Sequence, residues 1–574
     1  MSGIDWIVLF VSLLTVISYG LYKSKTEKSL DGYFKSSNSM GWLLILLSIM
    51  GTQASAVTFL SAPGQAYTDG LRFVQYYFGL PLAMVVLCIT FIPIYHKLQV
   101  YTAYEFLEQR FDLKTRSLAS VLFLVSRALS TGISIYAPSI VLSSIFGWNI
   151  YVTNLIMGGF LIIYTVTGGA KAVAYTQMQQ LVVVFIGLFI AGFLVINMLP
   201  AGISFTDALH IAGKMGKLNV IEPKIDITSE SWWKDKYNIW SGLIGGFFLA
   251  LSYFGTDQSQ VGRYLTAKNL KESRIGLLMN GIVKVPMQLF ILLVGALVFV
   301  FYTFYQAPVF YNQKEIDKIL HSNYSSEFQQ LQAQHDSLNL IRAEDAKYMS
   351  LALQQNNESE VRLRQNKLLQ NETQSKEIRK NVLKLMKSND RTADTNDTNY
   401  IFLYFVIQNI PKGLVGLLIA MIFLAAWGSV AAALNSLAST SVVDLYKRLW
   451  VKEQTEQYYY IVSKWFTLGW GIFCIAVAMF ASSLGSLIEA VNVLGSLFYG
   501  TILGIFLVAF YFKKVGGNAV FWSAIITELI IIGIYISDII SFLWLNAIGC
   551  LLVLLIATIF QKINNQQEIV VQKV

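Results

Sequence analysis

The chain has 574 residues, of which 55% are hydrophobic and only 13% charged, and a soluble domain of that size needs a far larger charged fraction to cover its surface. The formal net charge of +9 does not point to nucleic acid, because the basic residues sit in short loops beside apolar runs instead of forming one patch. The 9 prolines and 40 glycines suit membrane helices, where neighbouring helices satisfy a locally broken backbone.

A bilayer core takes about 20 apolar residues per helix. On that measure the sequence predicts an all-α membrane protein with about 13 spans, at 5–22, 41–62, 72–94, 118–146, 149–168, 178–199, 239–256, 277–303, 414–441, 459–481, 485–512, 518–536 and 540–561. No cleaved leader is expected, since the first apolar run follows Asp5 directly, without a basic stretch before it or a small-residue cleavage site. The loops after the odd-numbered spans are basic, with Lys23, Lys25, Lys28 and Lys35, then Lys97, Arg110, Lys114 and Arg116. Arg263, Lys268, Lys271 and Arg274 follow, then Lys447, Arg448 and Lys452, then Lys513 and Lys514. The short connections 147–149 and 481–486 carry no Lys or Arg. Lys and Arg in short loops mark the inner side, which predicts the N-terminus outside and the C-terminus, with Lys562 and Lys573, inside.

This organisation divides the chain as follows. Residues 1–40 hold the first span and an inner loop, 41–200 a first five-helix repeat, and 201–238 an outer loop in which Trp232 and Trp233 are expected as interfacial anchors. Residues 239–305 begin a second repeat, 401–512 complete it, and 513–574 form two C-terminal spans and a tail. Between them, 306–400 is polar, with Leu331, Leu338, Ile341 and Leu368 among good helix formers. That pattern predicts a helical hairpin or coiled-coil-like extracytoplasmic insertion; a partly disordered, solvated loop is the competing reading.

Cys88, Cys474 and Cys550 fall inside apolar runs at unrelated spacings and read as small buried hydrophobes, and the four histidines are scattered. No nucleophile motif, His/Asp cluster or metal-ligand spacing lies in the spans, so an enzyme is not expected. Two spans are interrupted instead. The second contains Gly51-Thr52-Gln53-Ala54-Ser55-Ala56-Val57-Thr58 and ends at Pro63-Gly64; the seventh contains Gly242, Gly245, Gly246 and Gly255 and ends at Thr256-Asp257-Gln258. Five helices separate their starts, the spacing of a five-helix inverted repeat. A broken helix frees carbonyl oxygens, which persist in lipid only if protein buries them or a ligand uses them. A small hard cation takes oxygen ligands, so freed carbonyls with nearby hydroxyls make a sodium site; close helix packing through small residues explains the same positions equally well. Arg127, Lys284 and Glu489 lie inside spans, and Asp257 ends a broken one. A pairing of Asp257 with Lys284 across a hairpin is geometrically open, a structural ion pair is the alternative role for these groups and for Arg127, and Glu489 is placed to reach water.

Several runs carry a family resemblance. Ser55-Ala56-Val57-Thr58-Phe59-Leu60-Ser61-Ala62-Pro63-Gly64-Gln65-Ala66-Tyr67 resembles the first core helix of the sodium/solute symporter family. Tyr104-Glu105-Phe106-Leu107-Glu108-Gln109-Arg110-Phe111 and Thr167-Gly168-Gly169-Ala170-Lys171-Ala172-Val173 are similar to further family motifs. So are Asp257-Gln258 with Arg263-Tyr264-Leu265, and Ala433-Leu434-Asn435-Ser436 leading to Asp444-Leu445-Tyr446-Lys447, all in the family's order. Tyr136-Ala137-Pro138 places the resemblance nearest the branch of iodide, monocarboxylate and vitamin carriers.

The resemblance implies a LeuT-like fold with a 5+5 inverted repeat, in a plasma or inner membrane, working by alternating access as a secondary active transporter. Sodium is the implied coupling ion and no other cofactor is implied. Its matching ligands are Gly51, Ala54, Ala425, Gly428 and Ser429. Gly428 stands where the family usually has a hydroxyl residue; water, Thr440 or Gln53 are the candidates to replace that ligand. A second sodium site of some members uses an aspartate where this chain reads Tyr175-Thr176-Gln177, so that site is expected to be absent. Matching solute contacts are Gln53, Thr58, Tyr77, Asp257 and Lys284. Tyr77 and Thr58 replace residues that sugar carriers use, and Lys284 favours an organic anion as the small-molecule solute. The expected partners are the solute, sodium and the lipid bilayer, with no nucleic acid. The competing function is a transporter-derived sensor in which the 306–400 insertion binds an unknown partner.

Overall fold

The computed structural model describes residues 1–23, 40–98, 100–221 and 230–571. In chain order it contains helices α1 (Gly3–Lys23), α2 (Trp42–Gln53) and α3 (Ala56–Asp69), a 3-10 segment (Gly70–Tyr77), then α4 (Leu80–Ile89), α5 (Phe91–Leu98), α6 (Glu105–Arg110), α7 (Leu113–Phe146) and α8 (Ile150–Asn197). Next come α9 (Phe205–Lys214), α10 (Glu230–Lys234), a π-helical turn (Ser241–Gly245), α11 (Gly246–Thr256), α12 (Gln258–Tyr264) and α13 (Leu270–Phe304). The polar segment supplies α14 (Gln313–Leu320), α15 (Ser325–Gln354), α16 (Glu358–Asn389) and α17 (Thr398–Asn409). The chain ends with α18 (Leu414–Thr440), extended by a π-helical stretch (Ser441–Trp450), α19 (Glu456–Ala478), α20 (Leu487–Tyr511), α21 (Gly517–Ile536) and α22 (Phe542–Val571). Among the described residues, the only strand-type pairing is one bridge between Met40 and Ala267.

Among these residues, 10 helical runs are long and apolar enough to cross a membrane, and Gly3–Tyr19, Trp42–Gln53 and Ser241–Thr256 are apolar but shorter. This is a multi-pass membrane protein. Burial along each helix follows its place in the bundle. Ala425, Gly428, Ser429, Ala431 and Ala432 are buried in α18, and such small residues let α2, α7 and α8 close around it. Peripheral α19 and α21 bury one side and turn Trp465, Phe473, Leu529 and Ile536 outward, an apolar surface that belongs in hydrocarbon. Where α3 crosses α13 the backbones nearly touch: a Cβ on Gly295 would fall on the Pro63 carbonyl.

Helix α8 has 48 residues, about 72 Å if straight and far more than a bilayer core needs. Both of its ends nevertheless meet the polar segment, for Lys314 Nζ donates to the Trp148 carbonyl at 3.0 Å and Gln354 Nε2 donates to the Gly202 carbonyl at 3.0 Å. The helix therefore leaves that end of the bundle and returns to it, with Ile150–Thr167 and Thr176–Asn197 as its two apolar halves.

In the polar segment α15 and α16 pack side by side. Leu368 is buried and Leu331 and Leu338 are half-buried, but Ile341 is exposed. Polar side chains fill the inner face: His335 bonds Ser375 Oγ at 3.1 Å, Asn339 donates to the Ala307 carbonyl at 2.9 Å, and Arg364 pairs with Asp345 at 2.7 Å. A smaller apolar core of Phe310, Ile319, Phe328 and Val382 closes the base. Trp232 and Trp233 pack at a tilt against Trp544 of α22, with ring centroids 5.6 and 5.2 Å away. Cys88, Cys474 and Cys550 are free and buried.

Candidate functional site

The first interruption falls at Ala54–Ser55. α2 stops at Gln53, Ala54 takes φ −76° and ψ 75°, and α3 restarts after Ser55. The Ser55 amide turns to the Gln53 carbonyl at 2.9 Å and the Thr58 amide to Ser55 at 3.0 Å. As a result the carbonyls of Gly51 and Ala54 accept no hydrogen bond among the described residues, an arrangement that buried backbone rarely tolerates without a ligand.

Facing this break is α18. Ser429 donates to the carbonyls of Ala425 and Ala426 at 3.0 and 3.2 Å, which leaves its oxygen lone pairs free to accept or to coordinate. Gln177 of α8 bridges the two helices: its Nε2 donates to the Gly428 carbonyl at 2.9 Å and to Thr52 Oγ1 at 3.1 Å, while its Oε1 accepts from Ser48 at 3.1 Å. Gly51 and Gly428 thus meet the same glutamine, and a Cβ on Gly51 would lie 2.9 Å from Gln177 Cβ. The predicted ion ligands are all neutral oxygens, a donor set that fits a monovalent cation better than a divalent one, which draws on carboxylates. Two expected replacements for the missing hydroxyl do not serve. Thr440 lies 12 positions beyond Gly428 on one helix, about 18 Å along its axis. Gln53 is turned away, donating to Asn280 Oδ1 at 3.1 Å.

Beside the break, a cavity of about 120 Å³ is lined by Gln53, Thr58, Tyr77 and Lys284, together with Arg127, Tyr253, Asn492 and Tyr499. Four of the five predicted solute residues therefore line one cavity. The fifth, Asp257, is fully buried behind Arg127. It does not pair with Lys284, as the spacing allowed; Arg127 from α7 takes it as an ion pair. Asp257 also accepts from Tyr499 OH at 3.1 Å, and from the Ser259 amide and hydroxyl at 2.8 and 2.6 Å. Both of its carboxylate oxygens are thus taken by these donors, and it does not line the cavity. Lys284 is only 2% exposed and forms no ion pair or hydrogen bond among the described residues; its Nζ lies 5.6 Å from the Tyr77 ring centroid. Glu489 pairs with Lys236 near the end of α20.

The sequence profile of the sodium:solute symporter family matches residues 33–324 and 384–527. The chain belongs to that family. The unmatched stretch between the two blocks is α15 and most of α16. A sodium-dependent multivitamin transporter of Oryctolagus cuniculus is 24% identical over 519 residues, 89% of this chain and 67% of that one. A sodium/sialic acid symporter of Aliivibrio fischeri is 23% identical over 576 residues, 99% of this chain and 95% of that one. The solved structure of a Na+-coupled sialic acid symporter in a substrate-bound outward-open state shares the fold, with a TM-score of 0.73 at 22% identity and 98% of each chain covered.

One cavity-lining group of this symporter escaped the sequence as a site residue. Arg127 was visible as a charge inside a span, but only the fold brings its guanidinium to the cavity wall with Nε unpartnered.

Proposed function

We propose that this sodium-coupled symporter carries one small organic anion with one sodium ion per cycle by alternating access. The observation that carries the reading is Lys284, a basic side chain on the wall of the central cavity with no partner of its own. Arg127 and Asp257 cancel one another, so Lys284 is the one basic group of the cavity left uncompensated, and its charged form, buried there, calls for a partner. A solute carboxylate or another monoanion supplies it. The small cavity favours a solute of few heavy atoms, since sites for drug-sized ligands hold roughly 300–1,000 Å³.

Coupling follows from the chain's continuity. Gln53 and Thr58 flank the break, with Thr58 Oγ1 3.5 Å from the Gln53 carbonyl, so fixing the Gly51 and Ala54 carbonyls around an ion also fixes one wall of the solute cavity. Each ligand then raises affinity for the other by the same factor. Gly51, Ala54, Ala425 and Ser429 are the proposed sodium ligands. Gln53, Thr58, Tyr77 and Lys284 are the proposed solute contacts, and Asp257 becomes a positioning residue for Arg127. With Gln177 already holding both neighbouring helices, one ion per cycle is the stoichiometry proposed. With α2 and α3 taken as the two halves of one interrupted crossing, the apolar helices support about thirteen crossings in a LeuT-like inverted repeat, and the loop charges support an N-terminus outside and a C-terminus inside. The insertion then lies outside as an integral part of the carrier, tied to α3 by Tyr311–Tyr67 at 2.7 Å and through Lys217, which donates to Thr68 and pairs with Glu372.

Proteoliposome uptake of labelled small carboxylates, iodide and neutral solutes, under sodium and then potassium gradients, tests this. Anions are taken up with sodium, and Lys284→Gln abolishes their uptake. Undiminished anion uptake by Lys284→Gln removes the basis for the proposal.

A further inference from the structure

We infer that the cleft between the α7–α8 hairpin and the base of the insertion is a second binding site, for a small organic ammonium, separate from the central cavity. The cleft has a volume of about 600 Å³, within the roughly 300–1,000 Å³ of small-molecule sites, and it shares no lining residue with the central cavity. One side of it is formed by α7 and α8, the other by α14, the segment 392–394 and α17.

Two lysines face three carboxylates on these walls: Lys314 and Lys318 against Glu315, Asp317 and Asp394. Lys318 is spent on Glu315 at 2.8 Å and on Asp390 at 3.3 Å, and Lys314 reaches across to the Trp148 carbonyl. His321 is engaged as well, its Nδ1 2.7 Å from the Asp317 carbonyl. Asp394 is left without a cation. It accepts from the Asn396 amide at 3.1 Å and from the Tyr400 hydroxyl at 3.4 Å, and the charged groups that act on it, Glu315 and Asp397, are both carboxylates. Burial and these neighbours hold its carboxyl up at about 7, as befits a group whose charged form lacks a partner. Tyr136, Tyr151, Tyr400 and Tyr404 line the same space. Aromatic rings beside a carboxylate suit an ammonium, which gains cation–π attraction and a charge-assisted hydrogen bond. A metal ion fits less well, because among the described residues no three His, Cys, Asp or Glu side chains gather to hold one. An occupant touches both the hairpin and α17. In turn α17 lies directly on α3, where a Cβ on Gly64 would overlap the Thr398 carbonyl, so only one element separates the bound cation from the helix that follows the break. The ammonium is carried by a free amine or by a lipid headgroup, since the hairpin turn beside the cleft exposes Trp148 and Tyr151, side chains that favour the membrane interface.

The test is a titration of the thermal unfolding midpoint of the purified full-length protein in potassium at about pH 8, where Asp394 is ionised, with neither sodium nor a transported anion present. A ligand that binds the folded state raises its stability. Benzylammonium is the probe and benzyl alcohol its neutral control. The wild type is stabilised by the amine and not by the alcohol. Asp394→Asn raises the half-saturating benzylammonium concentration at least about tenfold, while its midpoint without ligand stays near the wild-type value. Tyr404→Ala, which takes a half-buried ring from the same wall, raises it about threefold and decides the matter if the asparagine variant fails to fold. Repeating the wild-type titration in nanodiscs separates the two sources. A response kept in phosphatidylglycerol and lost in phosphatidylethanolamine assigns the cleft to a headgroup, and a response kept in both assigns it to a free amine. Equal stabilisation by amine and alcohol, or wild-type half-saturation in the deciding variant, overturns the site.

Discussion

Cutting the Arg127–Asp257 pair from both sides at once should destabilise the protein by clearly less than the two single cuts added together. Asp257 is buried and holds Arg127, Tyr499 and two donors of Ser259. Removing one partner of a buried ion pair leaves the other charge stranded, at a cost of about 3–5 kcal/mol. Asparagine is as good a helix N-cap as aspartate, so Asp257→Asn can keep the Ser259 bonds and caps α12, and its loss falls near about 3 kcal/mol. Asp257→Ala adds the lost cap, about 1 kcal/mol more. Arg127→Gln strands the carboxylate instead and costs a similar amount. In the double variant neither charge remains, and the shortfall from additivity should reach about 2 kcal/mol or more. Equilibrium unfolding in mixed micelles, followed by tryptophan fluorescence, measures all four variants against the wild type. Losses that add to within about 0.5 kcal/mol would mean that the two groups act separately, and the cavity could no longer be assigned a single uncompensated charge on Lys284.

Two other outcomes follow from the same charges. A monoanion moving with one sodium carries no net charge, so an imposed potassium diffusion potential should leave uptake unchanged, and a tenfold sodium gradient, about 1.4 kcal/mol, should sustain about tenfold accumulation; potential-driven uptake in proteoliposomes rejects that stoichiometry. At the base of the insertion, burial, with the Glu315 and Asp397 carboxylates nearby, pushes the Asp394 carboxyl up to about 7 from 3.8. The folded state then holds this proton more tightly than the unfolded chain, so its stabilisation is complete below about pH 4 and is lost as pH rises through about 7. Hydrogen exchange around Asp394, corrected for intrinsic rates, should be slower at pH 6.5 than at pH 8, and Asp394→Asn should abolish the difference. That window lies above the range of His335, which burial and Arg342 hold down to about 4 from 6.5.

Apolar runs longer than a bilayer made most helices legible, and the Gly51-Thr52-Gln53-Ala54-Ser55 run marked where one of them breaks. Small residues there permit an irregular backbone, and a break in lipid has few purposes. The partner of Asp257 was not legible. Lys284 lies 27 residues away and Arg127 lies 130 away, and sequence distance favours the wrong one, because helix packing and not chain separation sets which charges meet. The inner face of the α15–α16 pair was misleading for a related reason. Ile341 fits an apolar stripe, but the segment is only 62 polar helical residues with a small core at its base, and Asn339 and His335 turn inward to satisfy backbone and hydroxyl groups there.

The most direct test of the coupling site is sodium-driven anion uptake by the wild type and by Ser429→Ala in sealed proteoliposomes of equal protein content. If the freed carbonyls of Gly51 and Ala54 and the Ser429 hydroxyl hold the ion, the wild type concentrates the anion only down a sodium gradient and the alanine variant loses that dependence. Equal sodium-driven uptake by both places the ion elsewhere and contradicts the account.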